Sequence, residues 1–162
     1  MRFVENYRKF THVPTPTPTL FYVRPFLERM VNLISPMLKS SVNVSYEVEP
    51  DDLLVYADES LVSRVVNNLL KNASEAIKEE GKITLHAYTN EQESVIIDIT
   101  DNGAIIPDDV ASHIFVPFFT TKPQGSGIGL SISRQIMQAC NGSIDLITDK
   151  NDGLTTFRLT FY

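Results

Sequence analysis

Hydrophobic residues recur along this chain with two periods, and each change of period marks a new element. Between positions 62 and 77, Val62, Val65, Val66, Leu69, Leu70, Ala73, Ala76 and Ile77 return every three or four residues, which puts them on one face of a helix. The spacing predicts an amphipathic helix over 64–80. Asp58 can cap its start, Lys78 lies in its last turn and Gly81 supplies its stop. A second helix is predicted over 23–39 from Phe26, Leu27, Met30, Val31, Leu33 and Ile34. Pro25 is tolerated in its first turn, and Pro36 is placed to kink it or end it. A third spans 128–140 and ends at Asn141-Gly142.

Between the helices the period falls to two. Val42, Val44, Tyr46 and Val48 alternate, as do Ile83, Leu85 and Ala87, and then Val95, Ile97 and Ile99. The polar run Asn90 to Glu93 reads as a hairpin loop, and Leu53 to Tyr56 as a short strand. Ser143 to Thr148 and Thr155 to Tyr162 read as an antiparallel pair across Asn151-Asp152-Gly153. Strands of this kind with three helices predict an α+β two-layer sandwich, one mixed and mostly antiparallel sheet with helices on a single face. Residues 103–126 have little periodicity and read as a long loop with one short helical turn; a loop of that length in a small domain generally has a function.

The start of the chain is different. Phe3, Tyr7 and Phe10 share one helical face, in a segment too short to be stable alone. The Thr-Pro alternation over 14–19 forbids helix and favours a semi-rigid polyproline II spacer. The expected division is therefore 1–22 as the end of a longer helix plus a linker, followed by a compact domain over 23–162.

Composition narrows the function. A formal charge of −6 excludes a broad nucleic-acid surface, so an anionic ligand would have to be held locally, by a cation, a helix N-terminus or a few basic side chains. Cys140 is the only cysteine, which excludes an internal disulfide and a thiolate metal cluster and fits a reducing compartment. No run approaches the ~18 apolar residues of a membrane span, and the N-terminus has no signal-peptide core.

Four groups of residues carry candidate chemistry. Asn68, Asn72 and Glu75 stand one turn apart on a second stripe of the helix 64–80. Asparagine is a poor mid-helix residue, so the stripe is either a solvated face or a site that uses the amides, and a Mg²⁺–nucleotide site is the functional reading. Alternation brings Asp101 onto the face of Val95, Ile97 and Ile99. A carboxylate there needs a partner or recognises a donor such as an exocyclic amine, although Asp101-Asn102-Gly103 also suits a hairpin turn. Thr155 falls on the equivalent face of the last strand, where it and Asp101 can share a water. Gly125, Ser126, Gly127, Ile128, Gly129 and Leu130 alternate glycines into a helix N-terminus, a ready anion site with Lys122 just upstream. The spacing matches neither the P-loop nor the dinucleotide fingerprint. Phe115, Phe118 and Phe119 lie in the long loop, where they either pack or form a lid.

In order, Asn-Leu-Leu-Lys-Asn-Ala (68–73), Asp-Asn-Gly (101–103), Phe-Val-Pro-Phe-Phe-Thr-Thr-Lys (115–122), Gly-Ser-Gly-Ile-Gly-Leu (125–130) and Thr-Thr-Phe (155–157) resemble the N, G1, F, G2 and G3 boxes. These belong to the catalytic ATP-binding domain of bacterial two-component sensor histidine kinases, within the gyrase/Hsp90/MutL-type superfamily. The resemblance implies the Bergerat sandwich, with ATP and Mg²⁺ as cofactors. It implies that Asn72 ligates the metal, that Asn68 and Lys122 lie at the phosphates, and that Asp101 receives the adenine amino group with Thr155 nearby. Gly103 and Ile106 would belong to the nucleotide-binding set, and Gly125, Ser126, Gly127, Ile128, Gly129 and Leu130 would embrace the phosphates under a 103–126 lid. The phosphate acceptor would be a histidine on a separate dimerisation domain of a homodimeric cytoplasmic kinase, with a response regulator downstream.

The chain departs from the family pattern at Ile105, Leu154 and Glu75, and it lacks the phosphoacceptor motif. His12, His86 and His113 stand in a spacer, a strand and a loop, where surface or packing roles are expected. Superfamily ATPases place a glutamate where this chain has Asn68, which cannot be a base. Transfer with slow hydrolysis is thus expected. The alternatives are a nucleotide-binding regulatory module and a pseudokinase.

Overall fold

The computed structural model describes residues 13–120 and 127–162. The five-stranded sheet at its centre runs β2-β4-β5-β7-β6. Its strands are β2 (Val42–Val48), β4 (Gly81–Thr89), β5 (Val95–Asp101), β6 (Gly142–Asp149) and β7 (Leu154–Phe161). Both hairpins close on carboxamide or carboxylate turns of the kind polar loops favour. Asn90 Oδ1 accepts from the Gln92 and Ser94 amides at 3.1 and 2.9 Å, and Asp149 Oδ1 accepts from those of Asn151 and Asp152 at 3.1 Å. Only β2 and β4 are parallel, since the connection between them crosses over through a helix.

Alternation sends Ile83, Leu85, Ala87, Ile97, Ile99, Phe157 and Leu159 to one face, and all are buried there. The helices α1 (Val23–Ile34), α2 (Glu59–Ala76) and α4 (Gly129–Ala139) provide the second layer; α3 (Asp108–Ala111) is the short turn expected within the long loop. The periodic residues of α2 from Val62 to Ala73 are almost completely buried, as are Phe26 and Leu27 of α1 and Ile136 and Met137 of α4. Each large apolar side chain buried in this way contributes about 1.5–3 kcal/mol. The α+β two-layer sandwich is the fold the alternation predicted.

Three boundaries differ from expectation. First, α2 ends at Ala76, not at residue 80. Ile77 turns extended, at φ −97° and ψ 113°, and sinks its side chain into the core. The freed Ala76 carbonyl is taken by the Ala104 amide at 3.0 Å. Lys78 is therefore outside the helix, and Gly81 begins β4. Second, α1 stops at Ile34, and Pro36 lies in a 3-10 turn over Ser35–Met37. Third, Thr19–Tyr22, assigned to the linker by the Thr-Pro pattern, forms strand β1. It pairs antiparallel with β3 (Leu54–Ala57), so the molecule has a second, two-stranded sheet. Phe21, Val55 and Ala57 point into the common core. Leu20, Tyr22, Leu54 and Tyr56 line the outer side and are exposed.

Asp58 ties this ribbon to α2. Its Oδ1 accepts from the Leu61 amide at 3.1 Å as an N-cap, and its Oδ2 accepts from the Thr17 amide at 2.8 Å. The Thr17 amide holds the Asp58 carboxyl below the usual carboxylate range; burial opposes this and the Leu61 amide adds to it. Asp58→Ala is expected to cost about 1–2 kcal/mol of stability in urea unfolding at pH 7. The loss should shrink as pH falls through the native carboxyl pKa, because protonation removes the same interactions from the parent protein.

Candidate functional site

Helix α2 acts as a ruler along the site. Near its middle, Asn68 is half-buried, and its Nδ2 donates to Ser133 Oγ of α4 at 3.4 Å. Gly129, the first residue of α4, lies so close to the Asn68 carboxamide that any Cβ would collide with it. One turn on stands Asn72, also half-buried. One turn further, Gly103 of the loop after β5 lies against the Ala76 carbonyl, where a Cβ would fall only 2.5 Å from its oxygen. Asn68 and Ala76 are eight residues apart, about 12 Å along the helix axis. Two glycine-mediated backbone approaches thus bracket the two asparagines.

Asp101 lies at the Gly103 end. It is the last residue of β5, only 4% exposed, and directly opposite Thr155 in the β5–β7 register. Burial pushes its carboxyl up to about 6, partly offset by the Gly103 amide, which donates to Oδ1 at 2.9 Å. Thr155 Oγ1 is buried without a hydrogen-bond partner. A carboxylate with spare acceptor capacity and an orphaned hydroxyl therefore sit together at the end of an apolar face, an arrangement that favours a ligand with donors. The Asp-Asn-Gly run is no hairpin turn: Asn102 Oδ1 instead accepts the Lys82 amide at 2.8 Å and pins the start of β4.

The long loop closes at its base. Gly127, at φ +71°, fits against the backbones of Phe118 and Phe119, and its carbonyl accepts the Phe118 amide at 2.8 Å. Phe118 itself adopts φ +67°, a left-handed conformation that is costly for an aromatic residue. Its side chain is exposed, whereas Phe115 lies under the Arg134 guanidinium at 5.7 Å and Phe119 stacks on His113 at 5.5 Å. Ile106 and Leu130 are half-buried against the core, and Ile128 is buried.

Residues 57–162 match the family described as histidine kinase-, DNA gyrase B- and HSP90-like ATPase. The nucleotide-free catalytic domain of histidine kinase ThkA is 31% identical, with a TM-score of 0.78 over 90% of this chain and 95% of that one. The chain belongs to this family, as a histidine-kinase catalytic domain. Sporulation kinase A of Bacillus subtilis is 29% identical over 140 residues, 83% of this chain and 23% of that protein. ThkA in complex with the response regulator TrrA is also similar, at 27% identity and a TM-score of 0.78, over 99% of this chain and 46% of that one. The chain spans about a quarter of the length of the curated relatives it matches.

For a catalytic domain of this family, the sequence-predicted residues fall into three sets, apart from Ile106, Gly127, Ile128 and Leu130, which lie along the loop and at the start of α4. Asn68 and Gly129 are in contact, with Asn72 one turn along α2. Asp101, Thr155 and Gly103 form the second cluster, at the other end of the ruler. Lys122, Gly125 and Ser126 lie outside the described residues. Ser133 was not foreseen. It is buried and orients Asn68, and the only sequence signal for it is its place one turn beyond Gly129 on the same helix.

Asp101→Asn tests the burial of the carboxyl. The folded chain holds its proton up to about pH 6, while the unfolded carboxyl releases it near 4. Stability of the ligand-free protein should therefore fall as pH rises from 4 to 6 and stay lowered above that. Relative to the parent, Asp101→Asn should gain up to about 3 kcal/mol between pH 4 and pH 7 in urea unfolding.

Proposed function

We propose that this chain binds Mg·ATP along α2 and delivers the γ-phosphoryl group to a histidine on a separate dimerisation domain. The observation that carries the reading is the ruler itself, with a buried acceptor and an orphaned hydroxyl at one end and an asparagine against a helix N-terminus at the other. The residues fit such a ligand. Asp101 accepts from the exocyclic amine of adenine, and Thr155 fills its vacant hydrogen bond through the base or a shared water. Gly103 and Ile106 border the base. Asn72 offers a carboxamide oxygen to Mg²⁺, and Asn68, braced by Ser133, faces the phosphates. The start of α4 at Gly129 and Leu130 supplies backbone donors and the positive end of a helix dipole, with Gly127, Ile128 and the sequence-assigned Lys122, Gly125 and Ser126 upstream.

Bound Mg²⁺ would neutralise charge on the β- and γ-phosphates. Asn68 and Asn72 hold and orient, and neither carboxamide can deprotonate water at neutral pH. Transfer to an external nucleophile is therefore favoured over hydrolysis. The acceptor is the histidine of a dimerisation domain in a homodimeric sensor kinase, and a response regulator is the downstream partner. We assign the domain to the cytoplasm; among the described residues no helix is long and apolar enough to cross a membrane.

The test supplies labelled ATP and a histidine-bearing dimerisation domain in trans. Acid-labile phosphate should appear on that domain, and Asn72→Ala should reduce it by at least ~100-fold. Nucleotide binding without transfer would point instead to a regulatory module, and absence of both to a pseudokinase.

A further inference from the structure

The sheet face turned away from the helices carries a second set of donors, unrelated to the nucleotide site. Glu47 of edge strand β2 pairs with His86 of β4 across the parallel ladder. Glu49 follows two residues later, its amide held by the Ala87 carbonyl at 2.9 Å. Alternation puts all three side chains on the outer face, since Val48, Leu85 and Ala87 are buried on the other. One ligand atom from each of the three residues lies within 4.8 Å of the other two. Among the described residues neither glutamate has an ion-pair partner. His86 Nε2 is buried with no hydrogen-bond partner. Two neighbouring carboxylates repel, and an orphaned ring nitrogen loses its hydration; a cation between them relieves both.

The imidazole is also braced. Its ring lies 4.6 Å from that of Tyr88 at 34°. The Tyr88 hydroxyl donates to Asp98 Oδ2 at 3.0 Å, and Asp98 in turn accepts from Arg158 Nε at 2.9 Å and from its terminal nitrogen at 3.1 Å. Glu47 and His86 stand on paired strands, as do Tyr88, Asp98 and Arg158, while Glu49 lies one residue beyond the end of β2.

We propose that Glu47, Glu49 and His86 form a binding site for a divalent transition metal at the β2 edge of the sheet. One imidazole nitrogen with two carboxylate oxygens suits Zn²⁺, Co²⁺ or Ni²⁺. Mg²⁺ and Ca²⁺ favour shells made of oxygen alone. Three protein ligands on an open face leave the remaining positions to water. A metal held there cross-links edge strand β2 to β4, the sheet's one parallel pair.

The test titrates the full chain with Co²⁺, followed by its visible absorption, and with Zn²⁺ by calorimetry, both in excess Mg²⁺. One Zn²⁺ per chain should bind with micromolar affinity and displace Co²⁺. Glu47→Gln and His86→Ala should each weaken binding at least about tenfold, and His113→Ala should leave it unchanged. Glu47 is exposed on an edge strand, so its variant keeps the fold even if His86→Ala does not. The proposal is overturned if no saturable binding occurs up to millimolar metal. It is equally overturned if Glu47→Gln binds like the parent, or if His113→Ala abolishes binding.

Discussion

The site depends on how closely two segments of backbone approach helix α2. At Ala76 the neighbouring chain comes nearer than any Cβ allows, at Asn68 a Cβ would press on the carboxamide, and glycine stands at both places. These approaches set the spacing between the two ends of the cleft. They hold because α2 cannot shift: its apolar stripe is buried against the sheet and its start is capped by Asp58. A close-packed core transmits such constraints rather than absorbing them. The core thus does more than hold the fold together, since it fixes the positions of Asn68, Asn72 and the loop leading from Asp101.

The two faces of the sheet handle polar groups differently. On the helix-covered side Asp101 and Thr155 are placed together without satisfying each other fully, and burial raises the carboxyl to about 6. On the outer side Asp98 is also largely buried, but Arg158 and Tyr88 saturate it. The saturated carboxylate is structural, and the under-satisfied one is the candidate for ligand recognition. His86 resembles Thr155 in this respect, since its buried Nε2 has no hydrogen-bond partner.

Much of this was legible in the chain itself. Period-two alternation placed Asp101 and Thr155 on the inner face, because a strand leaves no choice once its apolar set is buried. The 3.6-residue stripe located α2, and Asp58 marked its start. The far end of α2 was misread because Gly81 looks like a helix stop; what ends the helix is a tertiary contact, the Ala104 amide on the Ala76 carbonyl. Strand β1 was hidden because Thr-Pro alternation reads as spacer, and its partner β3 is more than thirty residues away. Ser133 and the Glu47–His86 pairing depend on register between distant segments, which no local pattern encodes. His86 was expected to have an ordinary strand role for the same reason.

The central claim is that the gap between Asp101 and Thr155 recognises the 6-amino group of adenine. Calorimetric comparison of Mg·ATP with Mg·GTP tests it most directly, since the triphosphate and metal are common to both and only the base differs. Guanine presents a carbonyl oxygen where adenine has its amino group, and would set it against the Asp101 carboxylate. The account predicts that ATP binds at least ~50-fold more tightly at pH 7.5. Equal affinities for the two nucleotides would contradict it.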